Sequence, residues 1–202
     1  MVTDLSRRTF ARAAVLGLAA TALPPLPALA STAASASRLV DSVVADINRA
    51  INAGKSESAL YKDFERIFAK YADVATIAMV SLGADGRRAT PAQKKAYIAA
   101  YQGYVSRKYG KRFREFVGGR LEVTGARPVK NYVEVKTIAH LRGEDPFEVT
   151  FVVSDRSGSE RFINLYIEGV NMVLTEKTEI GALLDRRGGN LDALISDLAK
   201  MN

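Results

Sequence analysis

Few side chains in this sequence are capable of bond chemistry. His140 is the only histidine, and there is no cysteine among the 202 residues. Thiolate metal sites, thiol catalysis, disulfides, an acyl-cysteine anchor and a histidine-cluster metal site are therefore excluded. A catalytic histidine needs a nucleophile and an orienting carboxylate, and no sequence pattern places either beside His140. Ser154-Asp155 and Ser157-Gly158-Ser159 have the composition of a turn. No G-x-S-x-G, phosphate loop or dinucleotide fingerprint occurs. The expectation is a protein with no catalytic residue, no metal site and no cofactor, in which His140 is an ordinary surface or half-buried side chain.

The charges are less uniform. The chain carries a net charge of +7. Between Pro91 and Val117 stand Lys94, Lys95, Arg107, Lys108, Lys111, Arg112 and Arg114 against Glu115 alone, with Arg87 and Arg88 just before. A solvated helix face accounts for such a run. The sharper reading is a dock for lipid headgroups or an acidic partner protein, formed by Arg107, Lys108, Lys111 and Arg112. Nucleic acid is not expected as a partner, because the N-terminus reads as an export signal.

That signal is Ser6-Arg7-Arg8-Thr9-Phe10-Ala11-Arg12, an Ala/Leu/Gly run from Ala13 to Leu23, Pro24-Pro25, and Ala28-Leu29-Ala30. A charged start, a short apolar run and an A-x-A site make a secretory leader. The paired arginines give it twin-arginine character. The run falls short of the ~20 apolar residues that span a bilayer. Residues 1–30 are therefore expected to be a cleaved twin-arginine signal peptide, and 31–202 a single domain in the periplasm.

The elements of that domain follow from periodicity. Residues 31–37 are small and polar and read as a frayed start. A helix is expected over about 38–53, with Leu39, Val43, Ile47 and Ile51 on one face. A second is expected over about 58–71, and a third, short one after an Asp73 cap, carrying Val74, Ile77, Ala78 and Leu82. Thr90-Pro91-Ala92-Gln93 combines an N-cap, a first-turn proline and a capping box. The helix it starts carries Tyr97, Tyr101 and Tyr104, can bend or split at Gly110, and ends at Gly118-Gly119. Four strand runs follow: 120–126, 132–141, 147–154 and 161–170. Short links make neighbours antiparallel. Helices return around Ile180, Leu183 and Leu184, and again after an Asn190 cap. The class is α+β: a single domain with a twisted four-stranded antiparallel sheet wrapped by N- and C-terminal helices. The aromatic stripe is either core or the wall of a ligand cavity.

Several blocks occur in a recognisable order. They are Phe64 to Phe68, Ser81-Leu82-Gly83 leading into Arg87-Arg88-Ala89-Thr90-Pro91-Ala92-Gln93, and Tyr109-Gly110 through Phe116. The strand Tyr132 to Leu141, Glu168-Gly169-Val170-Asn171-Met172-Val173 and the closing Leu191 to Leu198 complete the set. Together they resemble the MlaC family, the toluene-tolerance type of periplasmic phospholipid-binding protein. The chain departs from the family pattern at Asp85-Gly86, Glu160, Asn164, Asn171 and Lys177.

The resemblance implies an apolar lipid cavity between sheet and helices, and a carrier without covalent chemistry. It would shuttle phospholipid between an outer-membrane lipid-transfer complex and an inner-membrane ABC transporter with an MCE protein. A hopanoid or other hydrophobic ligand, or a non-carrying adaptor role, are the alternatives. A monomer is expected. On the more apolar strand face the expected lipid-facing residues are Val133, Val135, Val149, Phe151, Val153, Ile163, Leu165 and Ile167. Leu82, Phe113 and Phe116 are expected to close the cavity from the helical side.

Overall fold

A computed structural model describes residues 31–112 and 115–201, except for the side chain of Arg112. The signal segment, Phe113 and Arg114 lie outside the described residues.

Helix α1 (Ala33–Ile51) begins well before the expected position. Thr32 Oγ1 accepts from the Ser35 amide at 3.1 Å, and Ser35 Oγ accepts from the Thr32 amide at 3.0 Å. This reciprocal box satisfies two otherwise unpaired amides. Ser35 Oγ also donates to Glu160 at 2.8 Å, which ties the start of the helix to the residue that precedes Arg161 in the sheet. The inner stripe Val40, Val43 and Ile47 is at most 6% exposed. Burying each such side chain is worth about 1.5–3 kcal/mol.

Helices α2 (Glu57–Tyr71) and α3 (Val74–Leu82) meet at a sharp junction. Asp73 accepts from the Thr76 amide at 3.0 Å, the expected cap. The Asp73 amide donates to Phe162 O at 2.9 Å, and Arg161 Nη1 donates to Lys70 O at 2.7 Å, so the junction is pinned to the sheet. A short helix, α4 (Asp85–Arg88), precedes α5 (Pro91–Arg112). The expected Thr90–Gln93 box starts α5: the Gln93 amide donates to Thr90 Oγ1 at 3.2 Å, and the Thr90 amide to Gln93 Oε1 at 3.0 Å. Gly110 does not split α5, which runs unbroken through it. A Cβ there would stand 2.6 Å from Tyr61 Cδ1, so the glycine lets α2 and α5 approach.

The sheet is an antiparallel meander, β1 (Arg120–Val129), β2 (Tyr132–His140), β3 (Phe147–Ser154), β4 (Arg161–Ile167) and β5 (Val170–Asn171), paired in that order. The expected last strand is thus two, which corrects four strands to five. Glu168 (φ 50°) and Gly169 (φ 79°) turn the chain back after Ile167. Positive φ at both central residues of a two-residue loop matches the right-handed twist of the strands it joins. Pro128 is tolerated because β1 is an edge strand.

Inward residues pair across β2 and β3 as Val133 with Val153, Val135 with Phe151, and Thr137 with Val149. Thr137 satisfies its buried hydroxyl on Val149 O at 2.8 Å. The opposite face carries the ion pairs Arg127–Glu134 and Lys136–Glu148. His140 lies at that solvent edge, 3.8 Å from Glu122. A bulge interrupts the β3–β4 register between Val152 and Val153. Val153 pairs with Phe162 and Val152 with Asn164, which makes Ile163 the extra residue.

Helices α6 (Met172–Arg186) and α7 (Leu191–Lys200) close the fold, capped by Asn171 and, as expected, Asn190. α1 lies on β1 and β2, α5 packs between α2 and α7, and α6 runs against α3 and β4. Among the described residues no helix is long and apolar enough to cross a membrane.

Candidate functional site

A cavity of about 730 Å³ lies between the sheet and the helices. That volume is within the range of small-molecule sites, roughly 300–1,000 Å³. Its sheet wall is Phe147, Val149 and Phe151 from β3 and Phe162, Leu165 and Ile167 from β4. Its helical wall is Val43 and Ile47 from α1, Phe64, Ile67 and Phe68 from α2, Tyr101, Val105 and Tyr109 from α5, and Val173 from α6. The aromatic rings interlock, Phe151 against Phe162 edge-on at 5.6 Å and Phe116 against Phe147 at 6.1 Å between centroids. Glu115, Glu144, Glu168, Val170 and Thr175 are wall residues exposed to solvent, and they mark the opening.

The structure places Phe116, Val149, Phe151, Leu165 and Ile167 on this wall. Val133, Val135 and Val153 are at most 1% exposed and lie in the packed core, off the wall. Leu82 is likewise in the core, at the end of α3. Ile163 is off the wall because the bulge reverses parity. The inner face of β4 therefore continues from Leu165 to Phe162, a residue that strict alternation assigns to the other side. Phe113 lies outside the described residues. Phe64 and Ile67 fall on the inward stripe of their helix, so a pattern marks them as buried, but no pattern marks them as wall rather than core.

One part of the wall is polar. Lys108 donates to Glu176 Oε1 at 2.7 Å and also to Glu179 Oε2. The Tyr109 hydroxyl donates to the same Glu176 Oε1, and Tyr104 donates to Glu179 Oε1 at 2.5 Å. Glu176 is 3% exposed, and its Oε2 has no hydrogen-bond partner among the described residues. Burial, reinforced by the bonds to Glu176 and Glu179, pushes the Tyr109 and Tyr104 hydroxyls well above the usual tyrosine range. Burial also pushes the Glu179 carboxyl up, but the bonds from Lys108 and Tyr104 outweigh it and hold the group below its ordinary value. This cluster joins α5 to α6 across 68 and 71 residues of sequence, and no local pattern signals it.

Two of the expected docking residues have internal work. Lys108 belongs to the cluster just described. Arg107 donates from Nε to Met201 O at 2.7 Å and from Nη2 to Leu198 O at 2.6 Å, satisfying carbonyls at the end of α7. Lys111 is exposed, and the side chain of Arg112 lies outside the described residues.

The MlaC protein family model matches residues 37–200, nearly all of the described chain. The fold resembles the solved structure of a phospholipid-binding protein from Ralstonia solanacearum in complex with a phospholipid. The TM-score is 0.68 at 19% identity, covering 81% of this chain and 98% of that one. The structural likeness of that pair establishes a common fold. The family match, from the middle of the first turns of α1 to the last residue of α7, establishes descent: the chain belongs to the MlaC family.

Proposed function

We propose that the protein is a periplasmic lipid carrier that shuttles phospholipid between the outer and inner membranes. The observation that carries this reading is the cavity of about 730 Å³ with a wall of Val, Ile, Leu and Phe side chains, in a chain of the MlaC family. The fold relative captured with a phospholipid supports it. A lipid chain of about 15 methylenes costs about 12 kcal/mol to expose to water, at about 0.8 kcal/mol per methylene. A free monomer therefore crosses an aqueous compartment too rarely to be useful. The cavity need only replace the bilayer as an apolar solvent, so transfer is nearly balanced. Direction then comes from partners: an inner-membrane ABC transporter with an MCE protein, and an outer-membrane lipid-transfer complex.

In this reading Phe116, Val149, Phe151, Leu165 and Ile167 face the lipid tails. The leader with Arg7-Arg8 delivers the chain through the twin-arginine route, and the protein works as a monomer. Arg107 and Lys108 bind within the chain, and the docking role falls to the exposed Lys111 and to Arg112, whose side chain lies outside the described residues. The test is solvent extraction of the purified mature protein, followed by mass spectrometry and by uptake from phospholipid vesicles. Stoichiometric lipid is expected. A protein that carries no lipid and takes none from vesicles refutes the reading.

A further inference from the structure

A cavity that only solvates tails has no use for a buried carboxylate, yet Glu176 stands on this wall at 3% exposure. Its Oε1 accepts from both Lys108 and Tyr109, while its Oε2 accepts from nothing among the described residues. A carboxylate oxygen removed from water without a donor is a costly arrangement that native structures seldom keep without reason. The Tyr109 hydroxyl is engaged on Glu176 Oε1 and the Tyr104 hydroxyl on Glu179, and the Lys108 ammonium is shared between the two carboxylates, so none of these three groups' bonds reaches Oε2. What the cluster leaves unmet is an acceptor.

The charges around it point the same way. Among the described wall residues the basic side chain is Lys108, against Glu176 and Glu179 in the cluster and Glu115, Glu144 and Glu168 at the opening. A phosphate or carboxylate brought to Glu176 meets like charge in a poorly screened place. A hydroxyl or ammonium meets a ready acceptor, and an ammonium also balances the excess negative charge.

We propose that the cavity selects lipids whose polar group donates a hydrogen bond, a hydroxyl or an ammonium, and that Glu176 Oε2 receives it. This rests on the lipid-carrier reading and narrows it to a ligand class. The geometry that carries the proposal is a buried acceptor on the cavity wall that receives no hydrogen bond among the described residues.

Two matched lipid pairs test it with delipidated wild-type protein. Dioleoylphosphatidylethanolamine and dioleoylphosphatidylcholine share tails and phosphate, and only the first has donating N–H groups. Dioleoylglycerol and its 3-acetate differ in the same way at a hydroxyl. Each pair is offered in mixed vesicles, and lipid per folded protein is read by mass spectrometry. The donor member of one pair is expected to be taken up about tenfold better, the size of a hydrogen bond to a charged group. The pair that shows the preference distinguishes ammonium from hydroxyl. Glu176→Gln keeps the shape but can put an N–H₂ where Oε2 stood, and the preference should collapse. Equal uptake within both pairs overturns the proposal, as does a preference retained in folded Glu176→Gln. Should that variant not fold, the wild-type pairs decide alone. Uptake without preference sinks this inference and leaves the carrier intact, whereas no uptake of any lipid sinks both.

Discussion

Leu165 and Val135 are apolar strand residues of similar pattern that the fold sends to different places, and enlarging each side chain separates wall from core. Leu165 is partly buried on the cavity wall, while Val135 is fully buried beneath the helices. Leu165→Trp adds about six heavy atoms, and in an open cavity they occupy space that about four methylenes of a lipid tail would fill. At about 0.8 kcal/mol each, the lost burial is ~3 kcal/mol, or a lipid affinity about a hundredfold weaker. The fold should survive, because the ring enters existing space. Val135→Trp has no such space and should cost at least about 1–3 kcal/mol by overpacking. That lowers the melting temperature by about 2–4 °C per kcal/mol for a domain of this size. The assay pairs lipid per folded molecule, by extraction and mass spectrometry, with thermal unfolding of the delipidated protein. The expected result is a loss of lipid without a loss of stability at Leu165, and the reverse at Val135. If Leu165→Trp keeps its full lipid load while its melting temperature drops, the tails do not occupy this cavity and the reasoning fails.

Lys108→Met should destabilise the protein by about 3–5 kcal/mol, because it strands Glu176 without its cation, whereas the exposed Lys111→Glu should stay within about 0.5 kcal/mol; denaturant midpoints compare the two. Gly110→Ala should lower stability despite a helix-propensity gain of about 1 kcal/mol, since its Cβ meets the Tyr61 ring at 2.6 Å. Removing the ring with Tyr61→Ala should reverse that sign in a double-mutant cycle. The Asp46 carboxyl is held down to about 2 by the Tyr71 hydroxyl at 2.7 Å and then by Lys70. A depressed carboxyl stabilises the fold above its unfolded value, so about 1 kcal/mol, after screening at this partly exposed site, should be lost as pH falls from about 4 to 2. Tyr71→Phe should flatten that acid limb, and an unchanged slope in unfolding free energy against pH would contradict the assignment.

Local hydrogen bonds were legible in the sequence because they span only a few residues. Thr90 with Gln93, Asp73 with Thr76, and Asn190 at the head of α7 are caps of this kind. The period-two run from Val133 to Ala139 was equally plain, as were the class of the fold and the family. Thr32 escaped notice because its reciprocal partner is Ser35 rather than the glutamate or glutamine that usually marks a box. Tertiary structure alone decided what no short window contains. The bulge opposite Val152 exchanged Ile163 for Phe162 on the inner face, since one extra residue reverses every side chain before it. Val135 became core and Leu165 became wall because burial depends on the opposing element, and a strand's own pattern does not say how closely a helix covers it. Lys108 is drawn from the expected docking set into the wall because α6 brings Glu176 and Glu179 against α5 from about 70 residues away, and only there does the ion pair exist.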